Sequence, residues 1–206
     1  MHVPLYNKGI TLIETIVAVT ILAVAIAGPM TLAASSLRAT RDARSELIAT
    51  HLAEEGVEIV HNIRDNNVTN NPLPGSWLAN ILPNCGGFGC VVDVTAFDPA
   101  TVATPAAGTV WSASAATACP AADCSSISRV YYNPNTGLYR QSAAALTSPW
   151  TQTLFYRTII VTGVDNVAAP LRQAHIVVTV TYRGYGAAQK VVTIDDDVYN
   201  WFPPLH

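Results

Sequence analysis

Charge is what this sequence has least of. Asp, Glu, Lys and Arg make up 12% of its 206 residues, against about a quarter in an ordinary soluble domain. No basic block occurs and the formal net charge is −3, a pattern that argues against a nucleic-acid surface. The sequence holds no P-loop and no dinucleotide fingerprint. Its five histidines, His2, His51, His61, His175 and His206, are scattered. His51 and His61 fall on one predicted helix, but not at the i, i+4 spacing that a helical zinc pair requires. No Ser or Cys stands near a base or in an elbow sequence that would mark a nucleophile. These absences point away from an enzyme, and they imply no cofactor and no metal.

What is present is one long apolar run. From Gly9 to Leu37 the only charged residue is Glu14. More than about 18 apolar residues in succession read as a membrane-spanning helix. A carboxylate at a helix centre in that setting costs roughly 2.5–3.5 kcal/mol, less near the end, so Glu14 calls for a partner and a reason. Gly28-Pro29 interrupts the run. Pro29 has no N–H to give the carbonyl of Ala25 and Gly28 adds backbone freedom, so a kink or a locally melted turn is expected there.

Lys8-Gly9-Ile10-Thr11-Leu12-Ile13-Glu14 resembles the processing signal of type IV pilins and type II secretion pseudopilins. The resemblance implies a leader at 1–9, a cut between Gly9 and Ile10 by a prepilin peptidase, and N-methylation of Ile10. It implies an assembly role for Glu14, whose carboxylate would meet the ammonium of a neighbouring subunit, because a buried charge must be paired. Two features depart from the commoner pattern: Ile stands where Phe is usual, and the leader carries one Lys. The implied partners are other pilin or pseudopilin subunits, the peptidase, an inner-membrane assembly platform and the lipid bilayer. Residues 10–37 would form the transmembrane and assembly helix, with Gly28 and Pro29 as its hinge. Residues 38–206 would form an extracytoplasmic globular domain that includes the second half of the helix.

Orientation is contested within the sequence. Arg38, Arg41 and Arg44 follow the run and only Lys8 precedes it, so a bare count of positive charge puts the C-terminal side inside. Asp42 and Glu46 are interleaved with those arginines, and all four cysteines lie on the same side. Cys85, Cys90, Cys119 and Cys124 form an even set behind a membrane signal, as disulfides in an oxidising compartment do. Three pairings are open, and the local ones, Cys85–Cys90 and Cys119–Cys124, each close a short loop. Four free thiols remain an alternative. So does a zinc site, although C-x4-C is looser than a knuckle's spacing. The competing overall reading is a secreted or membrane-anchored β-rich binding domain behind an ordinary signal, cut near Ala33-Ala34-Ser35. The apolar run is longer than the roughly 7–15 residues of such signals.

Beyond the run, Ala43, Leu47, Ile48, Leu52, Ile59, Val60 and Ile63 recur at helical spacing, with Gly56 interrupting the stripe. Arg38, Arg41, Arg44, Glu54, Glu55 and Glu58 occupy the remaining, solvated faces. Asp65-Asn66-Asn67 is expected to end this helix, and Asn67-Val68-Thr69 has the form of a glycosylation sequon. Trp77, Leu78, Ile81 and Leu82 are expected to pack back on the helix. Cys85-Gly86-Gly87-Phe88-Gly89-Cys90 reads as a tight turn, and Val91 to Val94 as a short strand. Phe97 to Ser128, rich in Ala, Thr, Ser and Pro, reads as surface loop, with Trp111 as its anchor. Arg129 to Arg140 reads as a hairpin around Asn133-Pro134-Asn135-Thr136-Gly137. Leu154 to Gly163, Ala174 to Arg183 and Gln189 to Ile194 follow as strands with alternating faces. Asp195-Asp196-Asp197 is placed after the last strand as a solvated strand end; calcium binding stays an alternative, although three consecutive carboxylates cannot all aim at one ion. Val198 to Trp201 is expected to tuck in. The fold class expected is α+β: a long N-terminal helix packed by its second half on an antiparallel meander of about four strands.

Overall fold

The computed structural model describes residues 9–70, 76–79, 81–93, 116–120, 124–142, 146–164, 172–184 and 188–201. The chain divides into two compact units, Met1–Arg44 and Ser45–His206. One helix, α1 (Leu12–Asn70), contributes to both.

In the first unit the described residues are almost wholly helix, and residues 9–41 are all exposed. Ile10, Leu12, Ile13, Val24 and Leu32 are each more than 70% exposed. Four hydroxyls in this apolar segment bond to carbonyls of the helix itself. Thr15 donates to the Leu12 carbonyl at 2.8 Å, Thr20 to Val17 at 2.8 Å, Thr31 to Gly28 at 2.7 Å and Ser35 to Leu32 at 2.8 Å. A helix that satisfies its own polar groups suits a medium without water. The segment is long and apolar enough to cross a membrane. Helix continues through Gly28 and Pro29, so no melted turn interrupts it.

The second unit is α+β. After α1 come a single 3₁₀ turn (Ser76–Leu78) and the short α2 (Leu82–Cys85). Among the described residues seven strands follow: β1 (Cys90–Val92), β2 (Ala116–Ala118), β3 (Arg129–Tyr132), β4 (Tyr139–Gln141), β5 (Thr151–Gly163), β6 (Gln173–Arg183) and β7 (Gln189–Tyr199). They form one sheet, larger than the four strands expected, and every pairing is antiparallel. Only β5, β6 and β7 make the expected meander. The free side of β5 is shared: β3 pairs along its first half through Arg129 and Tyr156, and β1 pairs further on through Cys90 and Ile159. The hairpin of β3 and β4 forms where the Asn-Pro-Asn-Thr-Gly turn predicts it, with Gly137 at φ 74°.

The core lies between the amphipathic part of α1 and the inner face of the sheet. Leu52, Ala53, Ile59, Val60 and Ile63 pack with Ile159, Val161, Ile176, Val178 and Val180. Strand alternation makes this possible, since Phe155, Arg157, Ile159 and Val161 share the inner face of β5. Gly56, the gap in the helical stripe, is the close-approach point. A Cβ there would sit 2.8 Å from Val178 Cγ1 and 3.4 Å from Arg157 Cδ.

Several expectations are corrected. Helix α1 runs past Asp65-Asn66-Asn67 to Asn70. The reason is Asn67, which is buried and donates its side-chain amide to the carbonyls of Trp77 at 3.2 Å and Ala79 at 3.0 Å. Its side chain holds the 3₁₀ turn against the helix instead of breaking it, and it is not presented as a glycan acceptor. Trp77, Leu78 and Ile81 are buried in the core, as expected. Strand β7 extends through Asp195-Asp196-Asp197 to Tyr199, because β6 offers a paired partner at each position. Val198 is buried but Trp201 is exposed, so the terminal tuck ends at Val198. Within the loop-like stretch 97–128, β2 pairs with β1. Trp111 lies outside the described residues.

Candidate functional site: an N-terminal processing and assembly segment

Thr11 opens α1. Its carbonyl accepts the Glu14 N–H at 3.1 Å and the Thr15 N–H at 3.3 Å, and its hydroxyl accepts the Glu14 N–H at 3.4 Å. Thr11-Leu12-Ile13-Glu14 therefore has the S/T-x-x-E form of a capping box, with Thr11 as its cap and Glu14 three residues on. This role of Thr11 was readable from the sequence and was missed. A negative side chain in the first turn also complements the helix dipole.

Gly9 and Ile10 lie just before the helix, in non-helical, exposed chain. A Cβ placed on Gly9 would meet nothing within 4 Å. Glu14 is exposed, and among the described residues its carboxylate has no partner. Residues 5–28 match the family model of the prokaryotic N-terminal methylation motif. The chain carries a prepilin-type signal. The motif covers the glycine, the first residue after it, the glutamate and the apolar run as far as Gly28. No curated protein and no solved structure matches the chain.

The motif's helix leads into a domain with two staples. Cys85 bonds to Cys90 and Cys119 to Cys124, which settles the pairing as the two local bridges. The first closes the glycine turn, where Gly87 and Gly89 take φ of 65° and 90°. Gly89 has a second reason to be glycine: a Cβ would lie 2.8 Å from the Ile159 carbonyl oxygen. The second bridge is buried beside Val91, with Ile127 packed on it.

The helix is fixed to the sheet at two polar points. Arg157, 1% exposed, donates to Glu55 Oε2 at 2.8 Å, to Gln141 Oε1 at 2.8 Å, and to the carbonyls of Leu52 at 3.0 Å and Val92 at 3.3 Å. Burial pulls the Arg157 pKa down, and the charge of Glu55 opposes that shift. Glu55 is thus not simply part of a solvated face. At the other end, His61 Nε2 lies 2.7 Å from Asp196 Oδ2, and Arg64 reaches both His61 Nδ1 at 3.3 Å and the Tyr199 carbonyl at 3.4 Å. The His61 hydrogen bond, chiefly, holds the Asp196 carboxyl below its ordinary pKa.

The three aspartates do not act together. Asp196 faces α1, while Asp195 and Asp197 face outward beside His175, with His175 Nδ1 3.0 Å from Asp197 Oδ1. Alternation along β7 has split the cluster between two faces. Among the described residues no group of His, Cys, Asp and Glu is arranged to hold a metal ion.

Proposed function

We propose that the chain is the precursor of a structural subunit of a type IV pilus or type II secretion filament, and that it serves as a minor pilin or pseudopilin. The observation that carries this reading is the methylation motif at residues 5–28, on an exposed apolar helix that holds a lone carboxylate. Prepilin peptidase cuts between Gly9 and Ile10, and the new amino group of Ile10 is methylated. Until assembly the apolar helix keeps the subunit in the cytoplasmic membrane, with residues 38–206 outside the cytoplasm. The two disulfides support that side, since such bonds persist in oxidising compartments. On assembly Glu14 meets the terminal ammonium of a neighbour, which sets register, while the apolar surface of the helix supplies cohesion. Gly28 and Pro29 supply compliance. A minor role is favoured by the unusual composition from Cys85 to Ser128, a glycine-rich disulfide turn followed by the Ala-, Thr-, Ser- and Pro-rich stretch from Phe97. The reading is structural rather than catalytic.

Mass spectrometry of the mature N-terminus tests processing. Methylated Ile10 is expected; a terminus at Ser35, or a retained Met1, overturns the proposal in favour of an anchored or released β-rich binding domain. Assembly is tested with Glu14→Ala. That variant is expected to insert into the membrane normally and to be lost from sheared surface filaments. Normal incorporation would refute the register role. Copy number in the same sheared fractions distinguishes a minor subunit from a shaft subunit.

A further inference from the structure

The face of the sheet turned away from α1 carries a groove of about 800 Å³. Its floor is made by two strands in register, where Tyr156 stands opposite Thr181 and Thr158 opposite Thr179. Arg129 and Arg183 lie along it, and Phe88, 58% exposed, stands at the disulfide-closed turn on its wall. The chain as a whole is acidic, yet among the described residues the groove lining includes no carboxylate. Arg129 is already engaged: it stacks on the Tyr156 ring, bonds to the Tyr156 hydroxyl and donates to the Thr153 carbonyl at 3.3 Å. Arg183 and the hydroxyls of Thr158, Thr179 and Thr181 have no side-chain partner among the described residues.

From this arrangement we infer that the groove binds an acidic oligosaccharide, a chain of sugar rings of which one carboxylate meets Arg183 and the hydroxyls meet the threonine row. A guanidinium meets a carboxylate with two parallel hydrogen bonds. Threonine hydroxyls both donate and accept, as sugar hydroxyls do, so a row of them accommodates ring substituents along an extended chain. The exposed Phe88 ring offers an apolar surface to the C–H face of a sugar. A neutral glycan would leave Arg183 unused. A nucleic acid fits less well, because its affinity grows with the number of phosphates neutralised and with free aromatic faces for stacking. Here the cations are few, and one face of Tyr156 is covered by Arg129. The inference is independent of filament assembly.

The test is a binding titration on the full chain in detergent micelles. The probes are oligogalacturonate, a neutral galactose oligomer of equal length, and oligothymidylate. Saturable binding of oligogalacturonate is expected, weakened about tenfold by Arg183→Ala and several-fold by Thr179→Val. Both side chains face outward, so thermal unfolding should not change. Arg183→Lys, which keeps the charge but loses the planar fork, should fall between wild type and Arg183→Ala. Absence of saturable binding, equal affinity for the neutral oligomer, tighter binding of oligothymidylate, or indifference to Arg183→Ala would each overturn the inference.

Discussion

The buried ion pair between β5 and α1 makes a prediction that runs against intuition: removing its outer, half-exposed member should cost more than removing its buried member. Arg157 is almost wholly enclosed, and its guanidinium keeps its proton at any accessible pH. Glu55→Ala therefore leaves a charge in the core whose direct acceptors, Gln141 Oε1 and the carbonyls of Leu52 and Val92, are all neutral, with Asp93 as the nearby carboxylate that remains. Breaking a fully buried pair in this way costs about 3–5 kcal/mol. The Glu55 side chain is 36% exposed, so water already screens part of the attraction. The expected cost falls to about 2–3 kcal/mol. Arg157→Met behaves differently. It keeps most of the volume and removes the charge, and Glu55 can turn toward water. The Leu52 carbonyl still has its partner within the helix. The main orphan is Gln141 Oε1, at about 1–2 kcal/mol. The double variant should be no less stable than Glu55→Ala alone. Urea unfolding followed by tryptophan fluorescence, with Trp77 buried in the same core, measures all three in matched detergent. If Glu55→Ala costs under about 1 kcal/mol, or less than Arg157→Met, the assignment of this contact as the polar anchor of the helix is wrong.

Two further outcomes are expected. Gly56→Ala should destabilise the globular unit by about 1–2 kcal/mol, since overpacking against Val178 outweighs the gain in helix propensity; a stabilised variant would show that the two layers separate easily. Asp196 has a depressed folded pKa, so its contribution is complete above the unfolded value near 3.9 and is lost as pH falls through the lower folded value. Asp196→Asn should therefore be less stable than wild type at pH 5, and the gap should close as pH falls from about 4 through the lower folded value. A gap that stays constant across that range would refute the pairing with His61.

Much of this fold was legible because its signals are periodic. The apolar run, the amphipathic stripe after it and the alternation in β5 and β6 each repeat one simple rule over many residues. The failures fall where a single distant contact overrides local preference. Asn67 looks like a helix breaker, but carbonyls at Trp77 and Ala79 give its amide a better use. The aspartate run looks like a strand end, but β6 is long enough to pair with it. Arg157 held a clue that was not pursued: an arginine on the apolar face of an alternating strand requires a carboxylate from another element, and Glu55 is that residue. The N-terminal methylation motif was legible because its pattern is local, needing only a glycine, a following apolar residue and an acid at fixed spacing. The groove on the outer face was not, since its side chains come from β3, β5, β6 and the disulfide turn, and no linear pattern brings those together.

Strand β5 holds β6 along one flank and divides the other between β3 and β1. It serves as a spine with two separate sockets. The arm entering through Cys90 and the hairpin entering through Arg129 each plug into their own stretch of it. The face of β5 that packs on α1 is thus braced from two entry points that lie far apart along the chain.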